Sequence, residues 1–205
     1  DIWKITPLKE LLEKYKFKQI RFIEWIKTNP QPLNSSINYL TNCREIALTA
    51  VKGGKPTFNS KYDNAIYKFP LQGGRNRFHP TQKSLLLFEE LIKKHSNEND
   101  LVVDTFLGGG TTAIACKNTN RRFKGCEVSK AYYDIVKALL IKSIGSCQYV
   151  PTIALISLRS NVSSPTVKSI PNGIRIISGG GCLLFSCFVF WFTLFFLKLH
   201  ALQDA

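Results

Sequence analysis

The sequence predicts an α/β fold, and two strand-like runs that each end in an acid carry this prediction. Residues 101–103 are Leu-Val-Val, a short apolar run that ends at Asp104. Glycines at 108–110 predict a turn, and residues 111–118 predict a helix. A strand, a glycine turn and a helix N-terminus together present backbone N–H groups to a ligand at the carboxyl edge of such a sheet. We therefore expect a ligand site at this edge.

The residue types around the turn indicate which ligand it takes. A phosphate-binding loop needs a Lys where Gly110 stands, and a dinucleotide-binding loop needs a third glycine where Ala113 stands. An acid at the strand end favours a ligand with hydroxyl or ammonium donors. Glu127 ends the next strand-like run, 122–128, where nucleoside-binding α/β folds place an acid that accepts from ribose hydroxyls. A nucleoside that carries an amino-acid-like group suits both acids, which indicates S-adenosylmethionine.

Two motifs resemble those of the DNA amino-methyltransferases, which methylate adenine N6 or cytosine N4. The family's loop has the form Asp-Pro-Phe-x-Gly-Ser-Gly-Thr-Thr, and residues 104–112 match it except for Thr105 and Gly109. Residues 79–83 match the family's His-Pro-Thr-Gln-Lys block, which touches the methionine end of the cofactor. The resemblance therefore implies that this block folds back beside the glycine loop. A helix cap or a tight turn would explain either motif alone, but two motifs in the family's order are more specific. The resemblance is strongest from His79 to about Lys142.

The resemblance implies a Rossmann-like methyltransferase sheet in permuted order, with the cofactor strand late in the chain. It implies a site-specific DNA methyltransferase with S-adenosylmethionine as methyl donor and double-stranded DNA as partner. The six cysteines form no CxxC pair and no cluster with zinc spacing, so we expect no metal site and a cytoplasmic protein. The implied cofactor-binding residues are His79, Pro80, Thr81, Gln82, Lys83, Asp104, Phe106, Gly108, Gly110, Thr111, Thr112 and Glu127.

The family's catalytic loop, Asp/Asn/Ser-Pro-Pro-aromatic, has no match, so we assign no catalytic residue. No Pro-Pro pair occurs, and the nearest look-alike, residues 29–32, lacks both adjacent prolines and an aromatic. The segment Trp-x-Lys-x-Asn-Pro-x-Pro at 25–32 resembles the part of the family that follows the catalytic loop. We therefore expect that the chain is truncated at its N-terminus and inactive alone.

The first half of the chain predicts a helix at 7–15, a strand at 20–26, a short helix at 37–41 and a strand at 45–52. Residues 53–78 are basic and aromatic and predict an irregular loop. In the resembled family this region often faces DNA, and Lys61, Arg75 and Arg77 are our candidate phosphate contacts. A surface loop pinned by its aromatic residues is an equally good interpretation.

Two further helices are predicted around the cofactor motifs. Thr81 caps a helix at 82–94 with an apolar stripe that includes Leu86, and His95 adds charge to its C-terminal end. Ser129 caps a helix that runs to about 141. Its predicted core face is formed by Tyr132, Tyr133, Ile135, Val136, Leu139 and Leu140.

Composition and the C-terminal region complete the prediction. A net charge of +14 favours a polyanion partner, although a solvated basic face explains it as well. We place a partial methyltransferase domain at 1–142 and a tail of different composition at 143–205. The apolar run at 182–197 is shorter than the roughly 20 residues of a membrane helix. Three interpretations explain this run: a membrane anchor, a buried helix or strand, or translated sequence foreign to the enzyme. We favour the last. We therefore expect that truncation at Lys142 keeps the stability of the domain.

Overall fold

The computed structural model describes residues 2–30, 41–74, 77–142, 152–155, 180–186 and 194–199. A 3-10 turn at Ile2–Lys4 leads into the first helix. The helices are α1 (Ile5–Lys14), α2 (Leu85–His95), α3 (Thr111–Asn118) and α4 (Lys130–Lys142). The strands are β1 (Lys18–Lys27), β2 (Arg44–Val51), β3 (Ile66–Phe69), β4 (Leu101–Asp104), β5 (Arg122–Glu127), β6 (Thr152–Leu155), β7 (Gly180–Ser186) and β8 (Leu194–Leu199).

The first sheet has the order β2-β1-β3. β1 pairs antiparallel with β2, where Trp25 lies opposite Glu45, and parallel with β3, where Trp25 lies opposite Tyr67. α1 covers part of β2, and Leu12 and Leu48 meet in a small core. Because directly opposed residues share a face of a sheet, Trp25 and Glu45 project to the same side.

The second sheet is parallel, with the order β4-β5-β6. The chain passes from β4 through α3 to β5 and through α4 to β6, so each crossover is helical, as parallel strands require. Asp104 and Glu127 are the last residues of β4 and β5. The carboxyl ends of these strands therefore place both acids at one edge of the sheet, as the sequence predicts.

α2 joins the two sheets. Its residues 87, 88, 91 and 92 are buried at the helical spacing and belong to one core cluster. That cluster includes Ile23 and Trp25 from the first sheet and Val102 and Phe123 from the second. The helix thus fixes the position of its N-terminal residues against both sheets.

The structure corrects three details of the predicted elements. The segment 53–78 is not wholly irregular, because β3 lies within it and is too short to show a period. α2 begins at Leu85 after Ser84, so Thr81 does not cap it, and Leu87 rather than Leu86 faces the core. The buried face of α4 is narrower than predicted, since Val136 and Leu140 are buried whereas Ile135 is exposed. The predicted helix at 37–41 lies outside the described residues except for Thr41, which has no regular structure.

The predicted domain boundary at residue 142 stays a prediction, and one strand of the second sheet lies beyond it. β6 pairs in parallel with β5, with Lys124 opposite Thr152, and so belongs to the second sheet. Its Ser-, Pro- and Gly-rich surroundings hide this short run in the sequence. In the apolar run, the described residues form part of β7 and β8, which pair antiparallel with each other. Of the helices that the structure describes, none is sufficiently long and apolar to cross a membrane.

Candidate cofactor site

Asp104 is the most buried acid of the site, with 2% of its surface exposed. Its Oδ1 accepts a hydrogen bond from the Phe106 N–H at 3.0 Å, and its Oδ2 accepts one from Thr112 Oγ1 at 2.6 Å. The carboxylate therefore ties the end of β4 to the first turn of α3. Burial raises the pKa of Asp104 to about 6. The nearby Glu127 also raises this pKa, whereas the two hydrogen bonds lower it.

Glu127 links the glycine loop to the start of α4. Its Oε2 accepts from the Gly108 N–H at 2.6 Å, and its Oε1 accepts from the N–H groups of Val128 and Ser129 at 3.0 and 2.8 Å. Both oxygens are thus engaged with backbone donors around the turn. A ligand hydroxyl that binds Glu127 must share or replace these bonds.

The residues 79–83, called here the cofactor block, fold over the glycine loop as the sequence predicts. A Cβ atom added to Gly109 would lie 3.0 Å from His79 Cβ, and one on Gly108 would lie 3.5 Å from His79 Nε2. On its other side the His79 ring packs against Tyr132 of α4, with ring centroids 4.2 Å apart. Burial lowers the pKa of His79, so the ring is neutral at pH 7.

The cofactor block is a compact turn held by its own polar groups. The Gln82 N–H donates to the His79 carbonyl at 3.1 Å, and Gln82 Oε1 accepts from the Phe78 N–H at 3.1 Å. Thr81 lies 3.2 Å from His79 Nδ1 through both its backbone N–H and its hydroxyl. The Pro80 carbonyl accepts from Arg77 at 2.5 Å, and Pro80 is not among the residues that line the cleft. The conformation of the block is therefore fixed by bonds within it and by Arg77 and Phe78 just before it.

Gly110 has a packing role at the start of α3. It has a φ of +73° at the N-cap of α3, a left-handed conformation that favours glycine. A Cβ atom at this position would lie 2.6 Å from Val136 Cγ1. The glycine lets α3 approach α4 closely, and its place in the implied cofactor set stays a prediction.

The cleft between the cofactor block and the glycine loop has the chemistry of a nucleoside site but little room. Asp104 lines the cleft, Glu127 bonds to the Gly108 N–H in its wall, and Phe106, 38% exposed, offers an aromatic face. Its volume is about 30 Å³, whereas pockets for ligands of this size enclose about 300 Å³ or more. The residues fit the cofactor in kind, and side chains that line the cleft must shift to admit it. The cleft is lined by His79, Thr81, Gln82, Lys83, Phe88, Asp104, Phe106, Leu107, Gly108, Gly109, Thr111 and Thr112.

Lys83 belongs to a buried ionic group that the sequence analysis missed, called here the front cluster: Trp25, Lys27, Glu45 and Lys83. Glu45 accepts from Lys27 at 2.8 Å and from Lys83 at 3.3 Å. The side chains of the three charged residues are only 9 to 12% exposed. Both ammonium groups lie over the Trp25 ring, 5.8 and 6.0 Å from its centroid. Burial lowers the pKa of Lys83 to about 8. The positive charge of Lys27 also lowers this pKa, whereas Glu45 raises it.

A second ionic group, the rear cluster, occupies the opposite end of α2 and consists of Asp63, Tyr67, Glu90 and Lys94. Asp63 accepts from Lys94 at 2.6 Å and from the Tyr67 hydroxyl at 3.0 Å. Lys94 also pairs with Glu90 and lies 4.5 Å from the centroid of the Tyr67 ring. Nearby, Asn59 donates to the Lys93 carbonyl at the end of the helix.

The candidate DNA contacts do not lie together. Lys61 stands between Asn59 and Asp63, which both contact the C-terminal end of α2, far along the helix from the cofactor block. Arg77 adjoins the block and bonds to it through Pro80. Arg75 lies outside the described residues. The DNA-facing role of these residues stays a prediction, and the geometry favours Arg77 over Lys61.

His95 lies at the predicted end of α2 but lacks the predicted charge. It lies in the last turn of α2, but burial lowers its pKa to about 4, so it is neutral at pH 7 and adds no charge there. Its ring lies 5.4 Å from the Phe58 ring. Among the residues that the structure describes, no group of three His, Cys, Asp or Glu side chains could hold a metal ion.

Several of these contacts left no local trace in the sequence. The acids at the strand ends and the His-Pro-Thr-Gln-Lys block are motifs, whereas Glu45 and Lys27 are single charges in strands. The one available signal was that Lys27 lies two residues from Trp25 and so shares its face of β1.

Known proteins match the chain over the same region. Type II methyltransferase M2.LlaDCHI of Lactococcus lactis subsp. cremoris is 34% identical over 146 residues, which cover 64% of this chain and 54% of that protein. Type II methyltransferase M2.DpnII of Streptococcus pneumoniae is also 34% identical over 146 residues, covering 63% and 53%. The chain thus spans about half the length of these relatives.

A solved structure and a family pattern agree with these relatives. The crystal structure of an M1.HpyAVI complex with S-adenosylmethionine superposes with a TM-score of 0.58 at 36% identity, covering 67% of this chain and 70% of that one. The pattern of the DNA methylase family matches residues 4–138. The chain therefore belongs to the DNA methylase family, the amino-methyltransferases of adenine N6 and cytosine N4.

Proposed function

We propose that this chain binds S-adenosylmethionine between the cofactor block and the glycine loop, and that it forms the cofactor-binding part of a site-specific DNA amino-methyltransferase. The observation that carries the proposal is the pair of acids, Asp104 and Glu127, at adjacent strand ends beside a block that covers the loop. Glu127 would accept hydrogen bonds from the ribose hydroxyls. Asp104 would either accept one from the ammonium group or act on the ligand through the loop that it orders. Bound there, the cofactor would supply a methyl group on a sulfonium.

The test of this site is calorimetry with S-adenosylmethionine on the parent chain, Asp104→Ala and Asp134→Ala. Asp134 is a matched control, because it is an acid on α4 whose side chain is 53% exposed in a surface ion pair. Asp104→Ala should weaken binding by about 1–3 kcal/mol, since it removes a buried charged acceptor. Asp134→Ala should bind like the parent. A parent chain that binds no S-adenosylmethionine would contradict the proposal.

The proposed substrate is an exocyclic amino group of a base in double-stranded DNA, either adenine N6 or cytosine N4. Transfer requires the amino nitrogen to be held in line with the methyl–sulfur bond, and such positioning accounts for about 7–11 kcal/mol of barrier. No Pro-Pro-aromatic sequence that could do this holding occurs between Asp1 and Ala205. We therefore propose that the chain alone binds cofactor without turnover.

An assay for labelled methyl transfer to mixed-sequence DNA tests this second point. We expect no transfer by the chain alone, together with weak DNA binding that falls as salt rises, because phosphate contacts through residues such as Arg77 do not need a catalytic loop. Arg77→Ala should weaken that binding more than Lys61→Ala does. Methyl transfer by the chain alone would show that residues within it orient the base.

A further inference from the structure

The cofactor block is held at both ends, and the two ends are held by different parts of the molecule. At its first residue, His79 packs between the glycine loop and Tyr132, which belong to the second sheet and its helices. At its last residue, Lys83 pairs with Glu45 of the first sheet. The block therefore bridges the two sheets above the cleft, and its position depends on both attachments.

The partners of Lys83 are themselves held by several contacts. Glu45 is fixed from below by Lys27 at 2.8 Å, and the ring of Trp25 lies beneath both ammonium groups. Trp25 itself is 3% exposed and donates from Nε1 to the Phe69 carbonyl at 2.9 Å. Movement of Lys83 away from Glu45 would leave a buried carboxylate and ammonium less well paired, which is unfavourable.

We propose that Glu45 and Lys83 are positioning residues, which hold the cofactor block over the glycine loop and so let the first sheet set the affinity of the cofactor site. The proposal rests on the proposed function for its ligand, S-adenosylmethionine. It also changes the role expected of Lys83. Lys83 also lines the cleft, but its ammonium donates to Glu45, and the proposal assigns its effect on the ligand to the position of the block.

The charges of the front cluster support a role beyond stability. Lys27 and Lys83 both pair with the single carboxylate of Glu45. Replacement of Lys83 by an apolar side chain of similar length leaves Lys27 and Glu45 as a balanced pair. Lys83→Met should therefore fold as well as the parent, which makes it the sharpest variant for this test.

The experiment is a double-mutant cycle read by calorimetry with S-adenosylmethionine. Glu45→Gln, Lys83→Met and the double variant are compared with the parent. We expect each single variant to weaken binding about tenfold, and the double variant to be no worse than about tenfold, because both singles break the same attachment. Lys83→Met should keep the parent's melting temperature.

Lys94→Met is the matched control for loss of a lysine that pairs with a carboxylate over an aromatic ring. It lies in the rear cluster, away from the cofactor block, and should lower the melting temperature but leave affinity within about twofold. A direct contact between Lys83 and the ligand predicts a different pattern. In that case Lys83→Met weakens binding while Glu45→Gln leaves it unchanged, and this result would overturn the proposal, as would losses that multiply in the double variant.

A second measurement separates failure of the positioning role from failure of the proposed function. Hydrogen exchange followed by mass spectrometry needs no cofactor. In Lys83→Met and Glu45→Gln, peptides that cover residues 77–83 and 106–110 should exchange faster than in the parent, while those that cover α2 stay protected. If the parent binds no S-adenosylmethionine, this exchange pattern still decides the matter. Unchanged exchange in both peptides would overturn the positioning role.

Discussion

The two ends of α2 carry ionic clusters of similar construction and opposite balance. At each end a buried lysine pairs with a carboxylate and lies over an aromatic ring of the first sheet, Trp25 in front and Tyr67 behind. In the rear cluster two carboxylates surround one ammonium, whereas in the front cluster two ammonium groups share one carboxylate. The difference lies in how well each charge is compensated.

The pKa values express the same difference. Burial alone would lower the pKa of Lys94, but its bonds to Asp63 and Glu90 raise it well above its ordinary range. Burial would raise the pKa of Asp63, but Lys94 and its other donors lower it. Burial lowers the pKa of Lys83 to about 8, and Glu45 does not restore it. The rear cluster is therefore built for stability, and the front cluster keeps a costly charge beside the cofactor block.

The largest effect that we expect on stability is at the rear. Asp63→Ala should lower the free energy of unfolding by about 3 kcal/mol, because it leaves Lys94 and the Tyr67 hydroxyl without their buried acceptor. Urea denaturation measures this, with Asp134→Ala as a control in an exposed pair that should cost less than about 1 kcal/mol. Affinity for S-adenosylmethionine should not change. A fall in affinity as large as that of Lys83→Met would remove the distinction between the two ends.

The next effect is at the glycine loop, on the front side. Gly110→Ala should cost about 2–3 kcal/mol, because the new Cβ meets Val136 at 2.6 Å in a left-handed backbone conformation. Gly53→Ala isolates the backbone term, since Gly53 has a similar φ of +68° and open space around it, and it should cost about 1 kcal/mol. A Val136→Ala change added to Gly110→Ala should recover part of the extra stability that Gly110→Ala loses relative to Gly53→Ala. Equal losses for the two glycines would show that α4 yields to the methyl group.

The sequence predicted the second sheet well because its signals are local. The apolar run before Asp104, the glycine turn and the helix at 111–118 lie within one short stretch, and the observed α3 has the predicted bounds. The placement of the cofactor block beside the glycine loop, also predicted, rested on a motif. In contrast, the front cluster draws Lys27, Glu45 and Lys83 from two strands and a turn. No periodicity or spacing brings such charges together, so only the tertiary structure shows the pair.

The short strands were missed for a related reason. β3 and β6 have four residues each, which is too few for a period, and both gain their hydrogen bonds from β1 and β5. The cap of α2 was misplaced by three residues because Thr81 and Ser84 are equally good caps in sequence, and the turn of the cofactor block uses Thr81.

A smaller effect on stability is expected at Asp104 in the cofactor site, where loss of the charge should raise stability but weaken cofactor binding. The folded-state pKa of Asp104, about 6, lies above its ordinary value of 3.8. Its contribution to stability is therefore full below about pH 4 and is lost as pH rises through 6. Asp104→Asn should match the parent near pH 4 and exceed it by about 2 kcal/mol at pH 7, while it weakens cofactor binding. Thermal unfolding across this range measures the effect, and a difference between the two proteins that does not vary with pH would contradict it.

The smallest effect that we expect is from removal of the C-terminal region, and it tests whether either end of α2 depends on residues after α4. Both clusters and the core around α2 are built from residues before 142. Among the described residues, β7 lies against β4 and β8 lies against β2, but neither strand forms a ladder with the larger sheets. A chain that ends at residue 160 loses only this packing and should unfold within about 1 kcal/mol of the full chain. A chain that ends at Lys142 also loses β6 and its ladder with β5, and should lose about 1–2 kcal/mol and some cofactor affinity, since β5 carries Glu127. Urea denaturation and calorimetry on both truncated chains measure these differences. Equal stability of the two would support the predicted boundary at residue 142, and a large loss for the chain ending at 160 would show that β7 and β8 stabilise the core.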